Sequence, residues 1–298
     1  MKFDFVIMIS KRNIEQLPLT IQGIRQNNQD ARIVLIGSSK LEEECRKFQC
    51  DFQDEDTLYP GLTLENTRQL IKSRNFLAGR RTGWYYQQFL KCAYAYICKN
   101  EYYMVWDADL IVLKEIDYFD SNDVPYFDVK TEYHKPYFST INRLFNGRVS
   151  RNNVFSFISE HMLMNKKFMI EMLDEICSNS TLKGNTFFEK IIDSVRAVDI
   201  PNSGFSEFET YGNYIQSIHP GAYITRNCNS FREGEIFFGN IPSNEELKWA
   251  SGSFDYICLE NRVGQNSEVK AEIDSAMNTM SMRDFVKKFS HLVKYEII

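Results

Sequence analysis

The sequence predicts an α/β fold, and three observations predict it: short apolar runs with strand character, helical segments between them, and a pair of aspartates directly after one of those runs. The runs are Phe5-Val6-Ile7-Met8-Ile9, Arg32-Ile33-Val34-Leu35-Ile36-Gly37 and Tyr102-Tyr103-Met104-Val105-Trp106. Residues 17–26 and 40–48 carry helical character after the first and second. Continuous apolar strands separated by helices indicate a parallel sheet covered on both faces.

Residues 51–75 are polar and irregular, with Pro60-Gly61 marking a turn. Residues 83–99 form the clearest helix, because Tyr85, Phe89, Cys92, Ala93, Tyr96 and Ile97 recur on one stripe while Gln87, Gln88 and Lys91 lie off it. After the third strand comes Asp107-Ala108-Asp109, and Leu110-Ile111-Val112-Leu113 continues apolar. Residues 154–164 alternate, which predicts a strand with Phe155, Phe157, Ser159, His161 and Leu163 on one face. Residues 166–177 and 186–195 read as helices, and so do the last 30. There Met282, Phe285, Val286, Phe289, Leu292 and Val293 make an apolar stripe with Arg283, Lys287, Lys288 and Lys294 mostly between them. Such a helix packs on its own protein, docks a partner or lies on an anionic membrane surface.

A chain of 298 residues suits one large α/β domain or a domain with appended helices. Hydrophobic residues at 43% and aromatic residues at 14% argue against disorder. A net charge of −5 gives no reason to expect a nucleic-acid partner. No two of the seven cysteines form a C-x-x-C pair, which disfavours structural zinc and fits reduced thiols in the cytosol. The N-terminal apolar run is too short for a signal-peptide core, and no stretch approaches the ~20 apolar residues of a membrane span. The expectation is a cytoplasmic protein, with peripheral contact at the inner face of a membrane left open.

Asp107 and Asp109 sit where an open α/β sheet binds its ligands, at the carboxyl end of a strand. Two carboxylates two residues apart can present oxygens to a divalent cation, which offsets the charge gathering on a leaving nucleotide diphosphate. The competing reading is a solvated turn. Three further segments decide between them: Gly83-Trp84-Tyr85-Tyr86-Gln87-Gln88-Phe89-Leu90-Lys91, Phe157-Ile158-Ser159-Glu160-His161-Met162 and Ser203-Gly204-Phe205-Ser206-Glu207-Phe208-Glu209-Thr210-Tyr211-Gly212. With the paired aspartates, these resemble the GT-A glycosyltransferases, and more narrowly a bacterial family of glycosyltransferases associated with surface-polysaccharide synthesis (DUF6492-like).

The resemblance implies a GT-A fold, Rossmann-like and nucleotide-binding, with a mixed central sheet and C-terminal helices. It also implies a nucleotide-sugar donor (UDP-sugar foremost), Mn²⁺ or Mg²⁺, and a glycan or lipid-linked glycan acceptor. The expected division is a catalytic domain over residues 1–260, with a donor half to about 115, and a helical extension over 261–298. Trp84, Gln88, Lys91 and Asp107 are expected on the donor, Lys91 as a cation that offsets diphosphate charge. Asp107 and Asp109 are the expected metal ligands, with His219 as the third, because neutral imidazole suits Mn²⁺ beside carboxylates. Glu160, His161, Phe205 and Tyr211 are expected to line the acceptor pocket. An inverting transfer needs a carboxylate base, either Glu207 or Glu209. If that segment is extended, both share a face; in a helical turn only one reaches the cleft.

A phosphohydrolase fits poorly, because Leu110-Ile111 stands where it needs a threonine or valine. A sugar nucleotidyltransferase would carry a glycine-rich loop after the first strand, where this chain has Ser10-Lys11-Arg12-Asn13. A non-catalytic carbohydrate-binding subunit would have no need of both aspartates.

Overall fold

Alternation along the first strand sets up two of the protein's apolar layers. In β1 (Phe3–Met8) Phe5 and Ile7 enter one hydrophobic cluster, while Val6 and Met8 enter another on the opposite face of the sheet. The computed structural model describes residues 2–151, 153–260 and 264–294. After β1 come α1 (Leu17–Asn27), started by a proline in its first turn, then β2 (Arg32–Gly37), the short α2 (Glu42–Cys45) and β3 (Asp51–Asp54). They are followed by α3 (Leu64–Arg74), α4 (Thr82–Ala93) and β4 (Tyr102–Trp106).

The second half holds β5 (Leu110–Val112), β6 (Tyr126–Val129), α5 (Lys135–Leu144), β7 (His161–Asn165), α6 (Lys166–Ser178), α7 (Phe187–Ser194) and α8 (Glu207–Ile218). It ends in β8 (Ile224–Asn227), β9 (Ser230–Phe231), α9 (Gly234–Phe238), α10 (Asn244–Ser251), β10 (Tyr256–Cys258), α11 (Ser267–Thr279) and α12 (Met282–Lys288).

The main sheet has the order β3-β2-β1-β4-β7. Its first four strands run parallel and β7 pairs antiparallel with β4, so the sheet is mixed. The chain moves outward from β1 to β3, then returns to place β4 on the other side of β1. That reversal opens a crevice above the carboxyl ends of β1 and β4. A small sheet, β5-β10-β9, ties the segment just after β4 to the C-terminal region.

Several expectations change. Residues 51–75 are not irregular: they hold β3 and α3, the latter capped by Thr63 Oγ1 accepting from the Asn66 N–H. The helix over 40–48 is broken into two 3₁₀ turns around α2. The helix over 83–99 is α-helical only to Ala93 and tightens into a 3₁₀ turn, Tyr94–Tyr96. The strand over 154–164 shrinks to β7, because Glu160 has φ +61°, a left-handed conformation that interrupts an extended strand.

The C-terminal stripe belongs to the core. Met282, Phe285 and Val286 are fully buried in a third cluster with Phe231, Phe237 and Phe254. That stripe is covered by the chain itself and is unavailable to a membrane. Residues 261–263 and 295–298 of the expected extension lie outside the described residues. No helix among the described residues is long and apolar enough to cross a membrane. Removing the Phe285 ring, which touches Phe237, Trp249 and Phe289, should therefore act as a core deletion. Phe285→Ala is expected to lower unfolding free energy by about 3–5 kcal/mol in urea titrations. Lys287→Ala on the exposed face should change it by less than about 0.5 kcal/mol.

Candidate active site

The backbone of Asp107-Ala108-Asp109 is held from four directions. The Asp107 N–H donates to Glu160 O at 3.0 Å, and Asp107 O accepts from the Leu110 N–H at 3.1 Å. Ala108 O accepts from Thr20 Oγ1 at 2.8 Å, and Asp109 O accepts from the Leu259 N–H at 2.9 Å. The tie to β7, the turn into β5, α1 and the residue just after β10 thus all fix one tripeptide. Little freedom is left to it beyond the two carboxylates.

Those carboxylates differ. Asp107 Oδ1 accepts from Lys91 Nζ at 2.7 Å, and the same ammonium donates to Glu207 Oε1 at 2.7 Å and stands 4.6 Å from the Phe208 ring. Burial disfavours the Lys91 charge, but Asp107 and Glu207 outweigh it and hold the group protonated above its ordinary range. Among the described residues no cation pairs with Asp109. Burial, then Asp107 and Glu260, push its carboxyl well above the usual carboxylate range.

Two clefts meet here. The larger, about 990 Å³, lies over the carboxyl ends of β1 to β4 and is lined by Ile9, Ser38, Glu55 and all three residues of the aspartate motif. Lys11, Arg12, Lys40, Arg80 and Arg81 give it cationic walls. The second, about 780 Å³, runs past Lys91, Glu132, Tyr137, Glu207 and Arg232. Arg81, Trp84, Gln87 and Asp107 border both. The first three recur every third residue on and just before α4, so a single face of that helix separates the clefts.

The structure brings together most of the sequence-predicted residues. Trp84 stands at the divide, with the Arg81 guanidinium 5.0 Å over its ring. Gln88 is buried, and its Oε1 accepts from the Glu207 N–H at 3.1 Å, so it caps α8. Glu207 and Glu209 are on a helix, yet both border the second cleft, which wraps the start of α8. Both are nearly buried. Glu209 accepts from Ser156 Oγ at 2.6 Å and from Asn213 Nδ2 at 3.2 Å; burial, opposed by these bonds, pushes it up to about 7.

Five assignments are corrected. His219 follows the far end of α8, about 18 Å from Glu207 along twelve residues of helix. There its Nε2 meets Glu171 at 2.9 Å and its ring stacks on Phe168, so it is no partner of Asp109. His161 is buried, with Nδ1 on Ser159 O and Nε2 on Asp128 at 2.7 Å, between Trp106 and Tyr256, and it borders neither of the two clefts. Phe205 packs on Phe89 in the core. Tyr211 is buried too, where its hydroxyl accepts from the Asn165 N–H at 2.8 Å. Glu160 acts beneath the site, its carboxylate gripped by Lys130 and near Arg232. Lys130 and Arg232 escaped the sequence reading, because their partners lie far along the chain and no local pattern marks them.

A family model described as a family of unknown function (DUF6492) matches residues 2–211. No curated protein matches the chain. Among solved structures, the chain is similar to mouse xyloside xylosyltransferase 1 in its apo form, at 14% identity and a TM-score of 0.43, over 78% of this chain and 88% of that one. It is similar to the galactosyltransferase LgtC in complex with donor and acceptor sugar analogues, at 10% identity and 0.39, over 99% and 98%. It is also similar to the bifunctional glycosyltransferase WbbM, at 9% identity and 0.47, over 96% of this chain and 51% of that one.

The His161 correction leads to a stability prediction. Burial would raise the Asp128 carboxyl, but His161 and Arg226 outweigh it and hold it at about 2. A depressed carboxylate contributes stability that is fully present above its unfolded value, about 3.9, and is lost as pH falls through about 2. Urea titrations should show a loss of about 2–3 kcal/mol from this group across that window. Asp128→Asn should be less stable at neutral pH and show a shallower acid limb.

Proposed function

Because the chain belongs to the DUF6492 family of unknown function, its activity has to be read from its own site, and we propose a GT-A glycosyltransferase that moves a sugar from a nucleotide diphosphate sugar to a glycan or lipid-linked acceptor. The observation that carries this reading is the meeting of two clefts at Asp107, one over the strand ends with cationic walls, the other beside the start of α8. The first suits a nucleoside diphosphate, whose charge its Lys and Arg side chains would match. The second suits a hydroxyl-bearing acceptor. A UDP donor, a role in surface-polysaccharide synthesis and work at the cytoplasmic face of a membrane rest on the sequence resemblance alone.

Divalent metal fits the residues present. Asp109 lies among carboxylates that raise its proton affinity, a setting a hard cation would relieve, and its donors are oxygens. Among the described residues no group of three His, Cys, Asp or Glu side chains could hold a metal, so Asp107 and Asp109 would share the ion with donor phosphates. Bound Mn²⁺ or Mg²⁺ would supply charge neutralisation for the leaving diphosphate. Lys91 leaves the other Asp107 oxygen for that task.

In the transfer, the acceptor oxygen forms a bond to the anomeric carbon as the bond from that carbon to the diphosphate oxygen breaks. In an inverting reaction the hydroxyl proton passes to a carboxylate. Glu209, at about 7, has the proton affinity for that role, whereas Glu207 is committed to Lys91.

Two experiments test this. Wild-type protein should gain thermal stability with Mn²⁺ plus a nucleoside diphosphate, by mass action. Asp109→Asn should lose that gain and fall at least about a hundredfold in transfer, while keeping its melting temperature without ligand. An unchanged response of the variant to Mn²⁺ and nucleotide removes the metal role. For the base, turnover should rise with pH through about 7, since Glu209 must be ionised to accept a proton. Glu209→Gln should abolish that rise and cost about a hundredfold or more in kcat with donor binding kept. Glu207→Gln should weaken donor binding as well. Wild-type kcat in Glu209→Gln excludes it as the base.

A further inference from the structure

Phe76 and Leu77 are neighbours on the 3₁₀ segment Phe76–Arg81 between α3 and α4, and they are 77% and 83% exposed. The segment is pinned in place. Asn75 Oδ1 accepts from the Leu77 N–H at 3.1 Å, Asn75 Nδ2 donates to Ala197 O at 3.0 Å, and Thr82 Oγ1 donates to Gly79 O at 2.7 Å. Ala78, between the exposed pair and the cationic end, is fully buried. The fold therefore holds two large apolar side chains in water at a fixed place. Val198, 67% exposed, stands next to Ala197 on the adjoining turn.

The charge along this stretch of the chain is one-sided. Residues 66–100 contain no aspartate or glutamate and seven lysines and arginines. Arg74 is matched by Asp193, and Lys91 by Asp107 and Glu207. Lys72 and Arg80, on either side of the apolar pair, form no ion pair among the described residues, and Lys72 Nζ lies 5.9 Å from the Phe76 ring. The same segment ends in Arg80 and Arg81, which line the larger cleft, Arg81 bordering both. Whatever takes the apolar tip thus sits at the shared mouth of the site.

We propose that Phe76 and Leu77 form a wedge that enters an anionic lipid surface, with Lys72 and Arg80 against its headgroups. An apolar tip ringed by cations is the chemistry of interfacial binding. A stable protein interface buries about 800 Å² on each side, more than two side chains and one neighbouring valine can supply. A bilayer needs no matching shape, only apolar depth and negative charge. This placement is independent of the chemistry in the clefts, and it assigns the membrane contact to a different element from the C-terminal stripe.

The test is sedimentation of the full chain with vesicles of phosphatidylcholine alone and of phosphatidylcholine mixed with phosphatidylglycerol. Wild type should bind the mixed vesicles, less at high salt, and bind the neutral ones weakly. The double variant Phe76→Ser/Leu77→Ser should bind at least about tenfold more weakly, with its melting temperature kept. Lys72→Gln/Arg80→Gln should lose about tenfold and most of the salt dependence. Val154→Ser, an exposed apolar position outside the segment, serves as the control and should change nothing. Absence of wild-type binding to the mixed vesicles overturns the proposal, and so does equal binding by the Phe76/Leu77 variant. Self-association that the same variant abolishes, without vesicle binding, would assign the tip to a second copy of the chain and also overturn it.

Discussion

Lys91 is 2% exposed, and an ammonium at such depth has to be surrounded by negative charge. Asp107 and Glu207 supply it at 2.7 Å each. The three residues come from the end of α4, the end of β4 and the first turn of α8, and 116 positions separate Lys91 from Glu207. None of the three elements can shift without leaving a charge buried and unpaired, a loss of about 3–5 kcal/mol when one partner is removed. The contact therefore fixes the relation between the sheet that floors the first cleft and the helix that walls the second. Gln88, one turn earlier on α4, adds to the same registration by capping α8 through the Glu207 N–H.

Glu160 does for the backbone what Lys91 does for the side chains. A non-glycine residue at φ +61° costs of order 1–3 kcal/mol and persists only where its surroundings enforce it. Here Lys130 and Arg232 grip the carboxylate, and burial of the charge is outweighed by those two cations, which hold the carboxyl below its ordinary range. The strained turn aims the Glu160 carbonyl at the Asp107 N–H. Strain is thus stored one hydrogen bond away from the carboxylate that both clefts share. Arg232 also pairs with Glu132 and Glu260, so one guanidinium links the strained residue to the second cleft and to the strand beside Asp109.

How much of this was legible follows from what each residue's pattern depends on. Strands β1, β2 and β4 were visible because both of their faces are buried, which leaves uninterrupted apolar runs. Strand β3 and helix α3 were not, because β3 is only part-buried and α3 buries just Thr67 and Ile71. Alternation over 154–164 misled because burial of Phe157 and His161 arises from irregular chain and from β7, and period-two spacing cannot reveal a left-handed residue between them. Asp107, Asp109, Lys91 and Glu207 were legible as a resemblance and as chemistry. His161 and His219 were not, since an imidazole's role is set by Asp128 and Glu171, 33 and 48 positions away. The C-terminal stripe has the spacing of any amphipathic helix, and only the presence of Phe237 and Phe254 opposite it shows which way it faces.

Net charge hides a local fact. At −5 the chain as a whole repels polyanions, yet it gathers Lys11, Arg12, Lys40, Arg80 and Arg81 around one cleft. The acid-free stretch from 66 to 100 supplies two of these and Lys91 as well. A field focused into a cleft acts over a Debye length of about 8 Å, so distant surface carboxylates barely cancel it at physiological salt. The same cleft is also lined by acids, Asp107 and Asp109 with Glu44 and Glu55. An anionic diphosphate drawn by those cations would meet Asp107 and Asp109 as well, and a cation between them would relieve that repulsion. Cations and carboxylates lining one cleft thus support the divalent ion of the proposed function, by a route independent of the spacing of the aspartates in sequence.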